Sequence, residues 1–175
     1  YIPTGCANFD WEAEMVVVFG RGGRNIPKDK ALDCVAGYML GVDFTARDQM
    51  AAPPPFVFDF TLGKCQDRTA PVGPYVVPKE FVDGADIHFS LSVNGVQKQS
   101  TTTAKMIYSL QEQISGISKR VQIEPGDIMF TGSPAGVGAA HNESAHAGDL
   151  IVLSSPQLGE LRVTLGSAPS TYQPV

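Results

Sequence analysis

Short runs of β-branched and aromatic residues, broken by glycine and proline, set the pattern of this chain. Residues 15–19 form an apolar run closed by Gly20 to Gly23, which predicts a strand ending in a turn. Asn25 and Pro27 mark a helix start, with Ala31, Leu32 and Val35 at helical spacing and Gly37 near its end. Extended chain returns over 38–44. Residues 51–63 carry Pro53, Pro54 and Pro55 followed by Phe56, Phe58 and Phe60. A proline run cannot join a central strand, so this stretch is expected to be a rigid loop whose aromatic tail packs down over something. A short strand is expected over 72–78. Residues 87–93 and 96–100 read as a hairpin around Asn94-Gly95, the pair that supplies the positive φ angles of a type I′ turn. Thr103 is placed to cap a helix over 104–118, with Met106, Ile107, Leu110, Ile114 and Ile117 as its apolar stripe. Strands are expected again over 128–131, 150–154 and 160–165, with a Gly-rich loop from Gly132 to Gly138. Neither a repeat nor a linker interrupts the pattern, which predicts one β-rich α+β domain over residues 1–175.

Composition agrees with that class and removes several functions. The 175 residues are 43% apolar and 18% charged, a globular balance, and 18 Gly with 13 Pro favour strands and turns over a helix bundle. A net charge of −5 argues against nucleic acid, which needs a clustered basic surface. No apolar run approaches the roughly 20 residues that span a bilayer, and no basic-then-apolar leader opens the chain, so no membrane partner is expected and a cytoplasmic location is the default. Cys6, Cys34 and Cys65 are widely spaced and odd in number, which predicts free thiols, two of them buried. The chain opens at Tyr1 and enters a strand-like pattern almost at once, so a segment upstream is expected.

The sharpest chemistry lies in Asp10-Trp11-Glu12-Ala13-Glu14-Met15. Strand alternation puts Glu12 and Glu14 on one face with Val16 and Val18, their Cα atoms roughly 6.5–7 Å apart. Two buried carboxylates repel, and the natural partner for such a pair is a hard divalent cation with oxygen ligands. Taken alone, the segment is read more simply as a strand end with two solvated glutamates. Asp43, at the end of a second extended segment, would complete a facial set and leave positions open for water and substrate if the two strands were neighbours. The histidines His88, His141 and His146 lack ligand spacing and read as structural or surface residues. Ser133 is in neither a phosphate-binding loop nor a nucleophile elbow. The glycines around it suit either a close approach of backbone N–H groups to a substrate carboxylate or a tight turn between strands.

Five blocks, DWEAEM at 10–15, GYMLGVDFTARD at 37–48, GKCQDRTAPVGP at 63–74, VNG at 93–95 and EPGDIMFTGSPAGVG at 124–138, together resemble the fumarylacetoacetate hydrolase family in order and spacing. The resemblance runs along essentially the whole chain. It implies a mixed β-sandwich roll, a homodimer, and a metal site on Glu12, Glu14 and Asp43 for Mg²⁺, Mn²⁺ or Ca²⁺. It also implies a small anionic keto-acid substrate, with Lys64 catalytic and Arg47, Gln49, Lys64 and Thr131 binding it. Relatives carry a His and a Glu on a short N-terminal lid helix, and here no residue corresponds to them. The general base is therefore expected upstream of Tyr1. The expected reaction is hydrolysis of a C–C bond in an acylpyruvate-type β-diketo acid. Decarboxylation of oxaloacetate or an isomerisation on the same site, and a non-catalytic ligand-binding or oligomerisation domain, are the alternatives.

Overall fold

The computed structural model describes residues 1–169. In chain order its strands are β1 (Phe9–Asp10), β2 (Ala13–Phe19), β3 (Val35–Val42), β4 (Thr45–Ala46), β5 (Val72–Pro78), β6 (His88–Val93), β7 (Val96–Thr102), β8 (Ile128–Phe130), β9 (Leu150–Ser155) and β10 (Gly159–Thr164). The α-helices are α1 (Arg47–Met50), α2 (Phe60–Lys64) and α3 (Leu110–Ser118). One sheet has the order β5-β3-β2-β8, a second β10-β9-β6-β7, and β1 pairs β4 in a two-stranded ribbon; all of these pairings are antiparallel. No helix among the described residues is long and apolar enough to cross a membrane.

The core follows from the period of two. In β6 and β9 every second residue is buried, and Phe89, Leu91, Val93, Ile151 and Leu153 share one apolar cluster with Met15, Val17 and Leu40. Strand β2 lies between two neighbours and is buried on both faces except at Val18. This explains its unbroken apolar run. Phe9 and Phe44 stack with centroids 5.1 Å apart and seat the ribbon on that core.

Two helix boundaries depart from the sequence pattern. The helix expected after Pro27 is a 3-10 turn, Lys28–Cys34, and Val35 already belongs to β3. Pairing decides this, because Val35 and Gly37 are needed opposite Phe19 and Val18 in the ladder. The helix expected over 104–118 begins only at Leu110. Ser109 and Glu112 form a reciprocal capping box there, while the hydroxyl of Thr103 donates to the Gly84 carbonyl and accepts from the Ile87 N–H. Ile107 is consequently 93% exposed rather than on a buried stripe. The aromatic loop also differs from expectation. Phe56, Phe58 and Phe60 stay 79%, 55% and 63% exposed, so within this chain the loop covers no core. Of the cysteines only Cys34 is buried; Cys6 is half-buried and Cys65 exposed. The hairpin is as expected, with φ of 50° at Asn94 and 81° at Gly95.

Candidate metal centre

The register between β2 and β3 builds the site. Ala13 stands opposite Val42 and Glu14 opposite Gly41, so one step further Glu12 meets Asp43, whose backbone N–H donates to the Glu12 carbonyl at 2.9 Å. Glu14 lies two residues along the same face. The result is three carboxylates, Glu12, Glu14 and Asp43, each offering an oxygen within 4.8 Å of the others. Glu14 is buried, 3% exposed, and its Oε2 accepts the Gly132 N–H at 2.6 Å. Burial, followed by the charges of Asp43 and Glu12, pushes its carboxyl up to about 7 despite that hydrogen bond.

Two cations face this set. Lys64, the last residue of α2, places Nζ 2.7 Å from Glu12 Oε2 and 2.5 Å from Asp43 Oδ2. The end of its helix is tied down by Thr69, whose hydroxyl donates to the carbonyls of Lys64 and Gln66. Arg47 starts α1 directly after the ribbon, and its backbone N–H donates to the Asn8 carbonyl. Its guanidinium bonds the other Glu12 oxygen through Nη2 and Asp10 Oδ2 through Nε at 2.9 Å. Burial opposes both charges. The carboxylates outweigh it, and both side chains hold their protons more tightly than usual.

Asp10 was not among the residues singled out from the sequence. Its 1%-exposed carboxylate accepts the N–H groups of Trp11, Gly138 and Ala139 as well as Arg47. A signal for it existed, since Asp10, Glu12 and Glu14 share one alternation face. Gln99 is the second such residue. It is buried on β7, accepts from the Ala13 N–H and donates to Ser133 Oγ and the Pro134 carbonyl, fixing the glycine loop against β2. Nothing in the alternation of β7 marks it. The loop N–H groups of Gly132, Gly138 and Ala139 thus go to Glu14 and Asp10, which favours neither of the two earlier readings of that loop alone. It is a turn, and its amides hold the site acids.

Of the other expected residues, Thr131 lies beside the site. Its hydroxyl donates to the Met15 carbonyl at 2.7 Å, and it lines a cleft of about 410 Å³ that also includes Gly132 and Ser133. The Gln49 amide donates to the Thr4 carbonyl and accepts from Gln66, partners outside the triad. His88 and His146 pair with Asp86 and Asp149 on the surface.

The donor set fits a divalent cation. Four carboxylates, Asp10, Glu12, Glu14 and Asp43, face Arg47 and Lys64, which leaves a formal excess of two negative charges. Glu14 is the buried acid left without a cation, and hard oxygen ligands suit Mg²⁺ or Mn²⁺.

Comparison with known proteins points to one family. The family model described as Fumarylacetoacetate (FAA) hydrolase C-terminal matches residues 1–166. The 2,4-didehydro-3-deoxy-L-rhamnonate hydrolase of a Sphingomonas strain is 36% identical over 92% of this chain and 57% of its own length. The mitochondrial oxaloacetate tautomerase FAHD1 of Rattus norvegicus is 37% identical over 84% of this chain and 67% of its own. The crystal structure of fumarylpyruvate hydrolase from Pseudomonas aeruginosa in complex with Mn²⁺ and pyruvate superposes with a TM-score of 0.86 at 32% identity, covering 95% of this chain and 69% of that one. The first curated relatives are matched over 57–61% of their length, so the chain spans about three fifths of them. A β-rich α+β fold shared with these structures, a family model over nearly the whole chain and a three-carboxylate site lead to one conclusion: the chain belongs to the fumarylacetoacetate hydrolase family.

Proposed function

We propose that this protein is a metal-dependent hydrolase that cleaves a C–C bond in a β-diketo acid of the acylpyruvate type. The observation that carries the reading is the convergence of Glu12, Glu14 and Asp43 with Lys64. Glu12, Glu14 and Asp43 would hold Mg²⁺ or Mn²⁺, which when bound supplies Lewis-acid polarisation of a 2-oxo acid's keto and carboxylate oxygens.

The residues around that site have separate roles. Lys64 keeps a half-buried ammonium at the site, where it opposes the negative charge that gathers on the pyruvyl oxygen as the C–C bond breaks. Arg47 is shared between Asp10 and Glu12, so its first task is to orient Glu12. Thr131 presents a hydroxyl oxygen whose proton is already given to Met15, leaving lone pairs free to accept. The Gly132 amide fixes Glu14 and keeps its ligand oxygen from rotating.

The reading also includes a homodimer, supported by the exposed aromatic loop at Phe56, Phe58 and Phe60, too apolar to be left in water as a contiguous patch. A second reading, tautomerisation or decarboxylation of oxaloacetate on the same site, is supported by the rat relative. Side-by-side assays test both. Release of pyruvate from an acylpyruvate, dependent on added Mg²⁺ or Mn²⁺ and lost in Glu12→Ala, supports hydrolysis. Metal-dependent consumption of oxaloacetate or its enol with no acylpyruvate cleavage would replace it by the second reading.

A further inference from the structure

Strand β2 leads out of the two site glutamates, yet β8 accompanies it only from Val16 to Val18. The N–H of Ala13, the residue between Glu12 and Glu14, therefore finds a side chain where a strand would have been. Oε1 of Gln99 accepts it at 2.9 Å, and Nε2 of the same amide donates to Ser133 Oγ and to the Pro134 carbonyl, each at 2.9 Å. Ser133 and Pro134 directly follow Gly132, whose N–H holds Glu14 Oε2 at 2.6 Å. One buried amide thus ties down both sides of the Glu14–Gly132 contact, the strand that bears the carboxylate and the loop that bears the donor. A β-bulge aims it there. Ser92 pairs Gln97 and Leu91 pairs Gln99, which leaves Lys98 over and turns Gln99 onto the buried face of Leu91. The loop lies close on that bulge, since a Cβ on Gly136 would stand 2.2 Å from the Lys98 carbonyl oxygen. Gly132 itself has a φ of 99°, and no neighbouring group packs where its Cβ would be. The other bonds to the loop, from Trp11 Nε1 to the Gly136 carbonyl and from the Gly138 N–H to Asp10, lie further along it.

We infer that Gln99 is a positioning residue of the metal centre: it holds the Gly132 amide on Glu14, so that this carboxylate is already aimed when the cation arrives. The inference rests on the reading of Glu12, Glu14 and Asp43 as cation ligands. Gln99 does not touch the cation. It removes in advance the rotational freedom that Glu14 and the loop would otherwise lose on binding. The amide is the group suited to this, because the Ala13 N–H can only donate and the Pro134 carbonyl can only accept. Partners that orient a metal ligand in this way are worth about tenfold to a hundredfold in affinity. The lower end of that range applies here, since Trp11 and Asp10 still anchor the far part of the loop.

Titration of the metal-free protein with Mn²⁺, followed by electron paramagnetic resonance of the free ion, tests this without turnover. Gln99→Met fills a similar volume and makes neither bond, and it should raise the Mn²⁺ Kd about tenfold. Ser133→Ala removes one of the loop bonds at a half-buried position and should raise it about threefold. That second variant decides the matter if Gln99→Met does not fold. Ile114→Val trims a buried side chain of α3, which packs on the 3-10 turn Lys28–Cys34, and lowers stability without touching the loop. Its Kd should stay within about twofold of the parent's. A Kd unchanged in folded Gln99→Met, or in Ser133→Ala where the first variant does not fold, overturns the assignment. So does an Ile114→Val protein whose Kd rises as much as that of Gln99→Met, because affinity would then simply follow stability. A parent protein that binds no Mn²⁺ fails at the metal reading itself and takes this inference with it.

Discussion

Glu14→Gln should make the metal-free protein more stable and the metal-loaded protein less so. The Glu14 carboxyl is raised from its ordinary 4.5 to about 7, first by burial and then by the charges of Asp43 and Glu12. A folded-state value above the unfolded one means that the folded protein binds the extra proton between pH 4.5 and 7. The stability of the metal-free parent therefore falls as pH rises through that window and is lowest above it. At about 1.36 kcal/mol per pH unit, the gap amounts to about 3 kcal/mol at pH 8. Glutamine removes that cost and keeps an oxygen for the Gly132 N–H, though a neutral acceptor forfeits about 1 kcal/mol of that hydrogen bond. A net gain of about 2 kcal/mol corresponds to a Tm higher by about 4–8 °C. Urea melts in EDTA at pH 5.5 and 8.5, repeated with 1 mM MnCl₂, read the effect. The parent should show the pH slope and a large Mn²⁺ stabilisation, and the variant neither, so their order of stability reverses on adding metal. A Glu14→Gln protein less stable than the parent at pH 8.5 in EDTA would refute the argument that Glu14 is a buried charge awaiting a cation.

Further outcomes follow from individual contacts. Lys64→Met should lower turnover at least about a hundredfold while leaving metal content by mass spectrometry near that of the parent; loss of metal with turnover per bound ion unchanged would make Lys64 a structural residue. Asp10→Ala leaves the buried Gly138 amide without its acceptor and takes from Arg47 one of its two acids, and should cost about 3 kcal/mol in urea melts, with Asp10→Asn costing less than half of that. Gly138→Ala should destabilise comparably, because a Cβ there would stand 2.8 Å from Asp10 Oδ1 and 2.5 Å from the Glu143 carbonyl oxygen; a stability equal to the parent's would show that the loop yields. Replacing Phe56, Phe58 and Phe60 by serine should halve the mass measured by light scattering without lowering Tm, and an unchanged mass would remove that loop from the dimer contact.

Strand content was legible where a turn or a run of branched residues marked it. The hairpin at Asn94-Gly95 and the run before Gly20 announce themselves through the turn chemistry and branching that a ladder requires. Helices were less legible. Apolar spacing at Ala31, Leu32 and Val35 competes with strand pairing, and pairing wins from Val35 onward. Met106 and Ile107 fit the apolar period of α3, yet Ser109 and Glu112 offer a better start to that helix. The carboxylate face of β2 could be read from alternation, but the arrival of Asp43 could not, because register between two strands is a tertiary property. Lys64 sits 21 residues beyond Asp43, past a proline-rich loop, and no periodicity foretells their 2.5 Å approach. Gln99 was invisible for the same reason, since it reaches Ala13, Ser133 and Pro134 from another sheet.

Because Glu12 and Asp43 face each other across adjacent antiparallel strands, the centre is assembled by the same backbone ladder that closes the core. A slip of one residue between β2 and β3 would take Met15 and Val17 out of the apolar cluster and scatter the acids in the same event. Folding quality control and assembly of the head-group site are thus one checkpoint, and a stably folded chain with a mispaired centre is not an accessible product. The segment 104–108, which lines the cleft beside Thr131, carries no such constraint from this ladder. An engineer could exchange it for a loop of other charge and length while the carboxylates stay where the register puts them.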